Sequence, residues 1–202
     1  MRNLLALILL SLGIYCLYKI LWKGTPPASQ ANASPVQFVM PDPVAFRMKV
    51  LKANSPEIVE VYLIHGDRWR MERQKINSPG TLVTVFDGSR IVTDDPDVTT
   101  TSGFGPQLQT AISSLNSLKP VAAAMQDGHQ CWLFKTNLES VGTTCDLWVD
   151  QDTHFPVFAN GASSGTYVEI HFQLLKSDFN VLEKTCFDTT NTNPMLAPFL
   201  TP

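Results

Sequence analysis

The chain is poor in charge. Only 16% of its 202 residues are charged, and 15 basic against 18 acidic side chains leave a formal net charge of −3. Disordered chains, and proteins that neutralise nucleic-acid phosphates, carry more charge or a one-sided excess of it. A hydrophobic fraction of 44% at this length fits one globular domain. We therefore expect a single folded domain that has no nucleic-acid partner.

Catalytic and metal-binding signatures are also missing. The sequence contains no GxSxG, Walker or GxGxxG motif, and no HxxH or CxxC spacing among its 4 histidines and 4 cysteines. The acidic run of Asp94, Asp95 and Asp97 lacks the glycine and glutamate spacing of an EF-hand, and we interpret it as a solvated turn. These absences favour a protein that is not an enzyme and that uses no metal or other cofactor.

One long apolar run lies at the amino terminus. Residues 3–22 read NLLALILLSLGIYCLYKILW, about the length that a helix needs to cross a hydrocarbon core of about 30 Å. The length of the run, and large side chains such as Tyr18 and Trp22 near its end, favour a retained anchor over a cleaved signal peptide. We predict one transmembrane helix over residues 1–23, with a signal sequence as the alternative.

A linker separates this run from the body. Residues 24–43 are rich in Pro, Ala and Ser and carry almost no charge, which is typical of an extended linker. We expect the globular domain to span residues 44–188 and a tail to span residues 189–202. Apolar side chains such as Leu196 and Phe199 make this tail either a disordered end or a cover for an open groove.

The body shows the alternation of half-buried strands. In residues 44–51, for example, Phe46 and Met48 alternate with Arg47 and Lys49. The same reasoning, together with the Asp-Gly turn signal at 87–88, predicts nine strands. They cover residues 44–51, 58–64, 68–73, 81–86, 90–93, 130–135, 143–149, 155–159 and 167–174.

Helical spacing occurs once in the body, between Gln107 and Leu118, where Leu108, Ile112 and Leu115 recur every three or four residues. Short loops join the strands elsewhere, and such loops permit only antiparallel neighbours. A large sheet with one apolar face must curl around something or pair with a second sheet. We predict a mainly β (α+β) fold, in which a curled antiparallel sheet, or incomplete β-barrel, carries the helical insertion on its concave side.

Three segments, taken in order, resemble a known family. They are HGDRWRMERQ at 65–74, FDGSRIVTDDPDV at 86–98 and, after the helical insertion, CDLWVDQDTHFPVF at 145–158. In order and spacing, residues 44–188 resemble the LolA/LolB-type lipoprotein carriers and related outer-membrane lipoprotein-sorting domains. The resemblance implies an incomplete barrel closed by helices, whose apolar interior accepts acyl chains. Family members begin with a helix where this chain has its linker, so one wall is expected to be missing or supplied by a partner.

The apolar lining is the functional feature that the resemblance implies for this chain. Arg68 and Arg70 are candidate contacts for an anionic headgroup at the mouth of the cavity. The alternative for these arginines is a solvated outer face on which they pair with Glu60 and Glu72. The residues that we expect to line the interior are Phe46, Met48, Val50, Trp69, Met71, Trp132, Phe134, Trp148, Ile170 and Phe172.

Three cysteines lie in the body. Cys131 and Cys145 occupy consecutive predicted strands, and in one register they face each other at a distance that a disulfide spans. That register also places Trp148 on the same face of the sheet as Phe134. A disulfide between the two cysteines would indicate an oxidising compartment. The alternatives are buried free thiols, or a disulfide that includes Cys186.

Two functions compete, and a third alternative is a hydrolase or other enzyme without a recognisable motif. In the first, a membrane-tethered envelope domain binds a lipid, or the acyl chains of a lipoprotein, in an apolar half-barrel. In the second, a non-enzymatic sensor or interaction module of the same fold, similar to periplasmic regulators of anti-sigma factors, acts through an envelope protein partner. The first requires an apolar cavity, whereas the second allows the cavity to be filled by the protein's own side chains. In both, a single-pass anchor in the inner membrane holds the body in the periplasm or outside the cell.

Overall fold

A computed structural model describes residues 37–76, 80–96, 98, 104–138, 141–175 and 185–200 of the protein. The predicted anchor at residues 1–23 and the linker as far as residue 36 lie outside the described residues. No helix in the described ranges has both the length and the apolar character that crossing a membrane requires.

In the described part of the chain, ten antiparallel strands form one sheet, in the order β5-β4-β3-β2-β1-β10-β9-β8-β7-β6. One eleven-residue helix, α1 (Phe104–Ser114), follows the fifth strand and continues into a short 3-10 turn at Leu115–Ser117. The strands are β1 (Val44–Lys52), β2 (Ile58–His65), β3 (Arg68–Lys75), β4 (Leu82–Phe86), β5 (Ile91–Thr93), β6 (Ala122–Gln126), β7 (His129–Leu138), β8 (Gly142–Asp150), β9 (Pro156–Ser163) and β10 (Thr166–Leu174).

The chain builds this sheet from two halves that meet in the middle. Strands β1 to β5 run outward to one edge, and the connection that carries α1 crosses to the other edge. Strands β6 to β10 then run back until β10 pairs with β1, where Phe46 faces Leu174. The sheet is therefore open, with β5 and β6 as its two edges.

The face that packs on α1, here called the inner face, curls around the helix. In a flat sheet, β2 and β7 would lie about 24 Å apart, because they are separated by five strand spacings. An eleven-residue helix is only about 16 Å long. Gly105 nevertheless lies directly on Ile64 of β2, and the Ser114 hydroxyl lies 3.5 Å from that of Thr136 in β7. The predicted mainly β fold, with one open antiparallel sheet and one short helix, is confirmed.

The sequence analysis missed strand β6. The side chains from Ala122 to Met125 are all exposed, so no alternation of buried and exposed residues marks this strand. Its place is decided by the turn at Asp127 and Gly128, whose φ angles of 50° and 83° suit a tight two-residue hairpin. The turn then pairs β6 with β7.

The folded unit begins before Val44, inside the predicted linker. Phe38 and Met40 are each 6% exposed and belong to the core of the inner face. The Phe38 ring packs edge-on against Trp132 and Phe134, with centroid distances of 5.8 and 5.3 Å. These side chains occupy part of the wall that the sequence led us to expect open.

The C-terminal segment, residues 185–200, covers the other face of the sheet, here called the outer face. Leu196 and Leu200 are buried against Val61 and Leu63 of β2. This segment is thus neither a free tail nor a plug of the inner face.

Candidate functional site

Nine of the ten predicted lining residues share the inner face. Eight of them are buried in one cluster with the apolar side of α1, and Trp132 is half-buried against that cluster. Strand alternation brings them together because each occupies the inward-pointing position of its strand. The nine are Phe46, Met48, Val50, Trp69, Met71, Trp132, Phe134, Ile170 and Phe172.

Trp148, the tenth, lies on the outer face, so its predicted place was wrong. It faces Leu133 across β7 and β8, whereas Phe134 points to the inner face. Trp148 packs with Cys131 and Phe158 in a small outer cluster. The prediction assumed a register that these two strands do not adopt.

The same register overturns the predicted disulfide. Cys131 faces Asp150 and Cys145 faces Thr136, so the two cysteines point to opposite faces and are free thiols. Strand β7 extends to Leu138, which places the turn beyond the point assumed from the sequence. Burial raises the pKa of both thiols to about 11, so they are protonated at neutral pH and are poor nucleophiles.

A cavity of about 380 Å³ lies beside α1, between the helix and β7. Among the described residues, its walls carry apolar, hydroxyl and amide groups and no charged side chain. Within the same residues, the buried Gln107 Oε1 has no hydrogen-bond partner. The lining residues are Pro106, Gln107, Thr110, Ala111, Ser114, Thr136, Asn137 and Leu138.

A buried charged cluster lies on the inner face, near the end of β3. The Arg73 guanidinium is held between two carboxylates, with Nε 2.7 Å from Glu60 Oε1 and Nη1 2.5 Å from Asp95 Oδ2. Glu60 also accepts a hydrogen bond of 3.1 Å from the Tyr62 hydroxyl. Burial, and then the negative charge of Glu60, raise the pKa of Tyr62 well above its ordinary value. The phenol therefore stays neutral, and the cluster ties β2 and β3 to the residues that follow β5.

The sequence analysis missed this cluster because it assigned Asp95 to a solvated turn, whereas Asp95 is 1% exposed. The sequence did contain a signal that Arg73 lies on the inner face. Trp69 and Met71 point inward, so strand alternation places Arg73 on the inner face as well. The position of Asp95 depends on how the chain returns after β5, which is a tertiary property.

Arg70 lies on the outer face and is completely buried. Its Nε donates a 2.8 Å hydrogen bond to Glu72 Oε1, and its terminal nitrogens donate to the carbonyl oxygens of Cys186, Asn191 and Asn193. A headgroup contact by Arg70 would require the C-terminal segment to leave.

Arg68, the second candidate headgroup contact, also meets the C-terminal segment. Its guanidinium carbon lies 4.8 Å from the centroid of the Phe187 ring, and Nη2 lies 3.2 Å from His65 Nδ1. Both arginines therefore face away from the apolar inner face, and headgroup binding by either of them stays a prediction.

Two His–Asp pairs hold the β6–β7 turn. His129 Nδ1 lies 2.7 Å from Asp150 Oδ2, and His171 Nδ1 lies 2.8 Å from Asp127 Oδ2. Each pair joins the turn to a more central strand of the sheet. Within the described residues, no three His, Cys, Asp or Glu side chains are arranged to hold a metal ion.

No family model matches the chain, and no curated protein matches it. Among solved structures, the chain is similar to an uncharacterized conserved protein from Thermus thermophilus, with 10% identity, a TM-score of 0.45, and coverage of 73% of this chain and 88% of that one. The chain is also similar to one from the Pseudomonas aeruginosa MucA/MucB complex, with 13% identity and a TM-score of 0.40. This match covers 66% of the present chain and 53%, about half, of the other one. A LolA superfamily protein from Nitrosomonas europaea is similar at 11% identity and a TM-score of 0.32, over 72% of this chain and 91% of that one. The family that the sequence resembles is thus also found among the similar structures. Since all these TM-scores lie below 0.5, we base the function on the geometry described above.

Proposed function

We propose that the protein binds an acyl chain, of a lipid or of a lipoprotein, between α1 and the inner face. The observation that carries this proposal is a continuous apolar face, built from both halves of the sheet, on which the described residues place one eleven-residue helix, residues 37–40 and loop side chains such as Phe155. Each methylene group that moves from water into such a face contributes about 0.8 kcal/mol. A ligand of this kind can therefore replace apolar contacts that α1 makes with the inner face.

The cavity beside α1 is the entry point in this proposal, and its chemistry indicates which part of the ligand it receives. Among the described residues, Gln107 Oε1 at the cavity is a buried acceptor without a partner, and Trp69 Nε1, on the inner face outside the cavity lining, is a buried donor without one. Buried groups of this kind gain free energy when a ligand supplies the missing partner. Gln107 Oε1 can only accept a hydrogen bond, so we expect an amide or hydroxyl group of an acylated molecule, which can donate to it, to bind here.

The proposal includes a membrane tether. The apolar run at residues 3–22 supports a single-pass anchor in the inner membrane, and the resemblance to lipoprotein carriers supports a place in the cell envelope. In this arrangement, the body lies in the periplasm or outside the cell and reaches its ligand at the membrane surface.

One observation favours the alternative, an envelope interaction module without a ligand. The inner face is filled by the protein's own side chains, since Phe46, Phe134 and Ile112 are almost completely buried. A module of this kind would act through a protein partner and would keep its interior closed.

Labelling with a photoactivatable diazirine fatty acid distinguishes acyl-chain binding from the interaction module. The full chain, produced in bacterial membranes, is labelled and digested, and the modified peptides are identified by mass. We expect label on α1 and on Thr136–Leu138 of β7. Label confined to residues 1–36 would contradict ligand binding in the interior and would leave the interaction module.

Matched variants test the site itself. Ala111→Phe fills the cavity with a large side chain, whereas Ser113→Phe places the same side chain on the exposed side of α1. We expect Ala111→Phe to remove the label from α1 and β7, and Ser113→Phe to leave it unchanged.

A further inference from the structure

The Phe38 side chain fills a pocket of three rings on the inner face. Its ring centroid lies 5.8 Å from that of Trp132, 5.3 Å from that of Phe134 and 5.7 Å from that of His154. The His154 ring in turn stacks on Trp132, with a centroid distance of 5.9 Å. The pocket walls therefore contact one another as well as Phe38, and a smaller side chain at position 38 would leave apolar space between them.

This pocket continues the cavity beside α1 along strand β7. Every second residue of a strand points to the same face, with a spacing of about 7 Å. Trp132 and Phe134 contact the Phe38 ring, and the next inward residue, Thr136, lines the cavity. The Ser114 hydroxyl, which also lines the cavity, lies 3.5 Å from that of Thr136. Phe38 thus occupies the next inward step of β7 beyond the cavity.

One side chain fixes the backbone of Phe38 in this place. The Phe38 N–H donates a 2.7 Å hydrogen bond to Asn116 Oδ1, and Asn116 Nδ2 donates a 2.9 Å hydrogen bond to the Phe38 carbonyl oxygen. Asn116 lies in the 3-10 turn that continues α1, two residues after Ser114. The segment that forms the cavity wall therefore also positions the ring beyond it.

The cavity has a polar and an apolar end. Gln107 and Ser114 both line it and are seven residues apart on α1, a distance of about 10 Å. Gln107 carries the buried acceptor that has no partner among the described residues, whereas the aromatic pocket lies beyond Ser114. An acyl chain whose polar end binds Gln107 would therefore extend its methyl end toward Phe38.

From this arrangement, we infer that Phe38 closes the far end of the acyl site and sets the length of chain that the protein binds, an inference that rests on the proposed function. Each methylene group that finds room in an apolar site raises the affinity about fourfold. Methylene groups that would overlap the Phe38 ring gain nothing from the site. The affinity should therefore rise with chain length and then reach a limit.

Competition by fatty amides of increasing chain length tests the inference. The full chain in bacterial membranes is photolabelled with a trace of the diazirine fatty acid, and unlabelled primary amides compete for the label on α1 and β7. Phe38→Ala and the unmodified chain should require the same concentration of short amides. At two methylene groups beyond the limit, Phe38→Ala should require about tenfold less. Membrane partitioning of the amide is the same for both chains and cancels in this ratio.

Two further variants serve as controls. Val39→Ala changes the neighbouring side chain, which is 62% exposed, and should leave the limit unchanged. Phe38→Leu keeps an apolar side chain in the pocket and should move the limit less than Phe38→Ala. It tests the same inference if the alanine variant fails to accumulate in membranes.

The outcomes separate this inference from the proposed function. Label on α1 and β7 together with an unchanged limit in both Phe38 variants would overturn the inference and leave acyl-chain binding intact. An equal gain at all lengths, short amides included, would also overturn it, because it would indicate a generally loosened interior. Absence of label from α1 and β7 in the unmodified chain would contradict the proposed function, and the inference with it.

Discussion

Arg70 and Glu72 form a completely buried ion pair that holds the C-terminal segment on the outer face. Arg70 Nε lies 2.8 Å from Glu72 Oε1, and neither side chain is exposed. The rest of the guanidinium donates to carbonyl oxygens of the segment, while Glu72 accepts the backbone N–H groups of Met195 and Leu196 at 2.6 and 2.8 Å. Each charge is therefore satisfied by backbone that is distant in the sequence, which couples β3 to the end of the chain.

Breaking this pair should destabilise the fold strongly. Arg70→Met is expected to lower the free energy of unfolding by about 3–5 kcal/mol, because it leaves the Glu72 carboxylate buried without its cation. Adding Glu72→Gln should recover part of that loss, since the double variant buries no charge. Urea unfolding of the full chain in mild detergent, followed by tryptophan fluorescence, measures both. A double variant that loses the sum of the two single losses would show that the side chains do not act as a pair.

The C-terminal segment should contribute stability without controlling the ligand site. Leu196→Ala removes a completely buried side chain from the outer cluster and is expected to lower the free energy of unfolding by about 2–5 kcal/mol. Thr192→Ala, at an exposed position, is the control and should have little effect. Photolabelling of α1 and β7 should be the same in both variants. A gain of label in Leu196→Ala would mean that the segment does restrict the interior.

The cysteines of the body should behave as buried thiols. Burial raises the pKa of Cys186 as well as those of Cys131 and Cys145. In a Cys16→Ser chain, we expect no rapid reaction with Ellman's reagent at about pH 8 while the protein is folded, because the thiols are both protonated and enclosed. All three should react in urea. Reaction of only one thiol in urea would reveal a disulfide between the other two and contradict the free thiols of the structure.

Asp150 should make stability depend on pH in the acid range. Burial opposes its ionisation, but hydrogen bonds from the Thr153 N–H, the Thr153 hydroxyl and His129 hold its pKa below the ordinary value. A folded pKa below the unfolded value of about 3.9 stabilises the fold above about pH 4, and this contribution is lost as the pH falls through the folded pKa.

Asp150→Asn should therefore lower the free energy of unfolding by about 1.5–3 kcal/mol at pH 7, the usual contribution of hydrogen bonds to a charged group. The difference in the free energy of unfolding between this variant and the unmodified chain should shrink as the pH falls below about 4. Urea unfolding at several pH values measures this trend, and Asp152→Asn at an exposed neighbouring position is the control. A difference that stays constant with pH would contradict the role of the Asp150 charge.

Much of the fold could be predicted because the signals are local. The alternation of Phe46 and Met48 with Arg47 identifies β1, and the spacing of Leu108 and Ile112 identifies α1. An apolar face and a helical stripe must be buried against each other wherever the chain places them. The open sheet with one helix inside follows from these patterns and from the short loops.

The partners of individual side chains could not be predicted in the same way. Adjacent strand positions point to opposite faces, so a register error of any odd number of residues exchanges the faces. The predicted pairing placed Cys131 opposite Cys145, whereas Cys131 faces Asp150, and Trp148 therefore lies on the outer face. Strand β6 carried no pattern of its own and formed through its turn and its neighbour β7.

The sequence by itself determined which residues alternate, which spacing is helical and where the apolar side chains concentrate, because these depend on backbone geometry over a few residues. Tertiary structure alone decided that Arg73 lies between Glu60 and Asp95 on the inner face, while Arg70 holds the C-terminal segment on the outer face. The physical reason is that a buried charge takes whichever partners the chain brings back to it, and those partners lie 13 to more than 100 residues away.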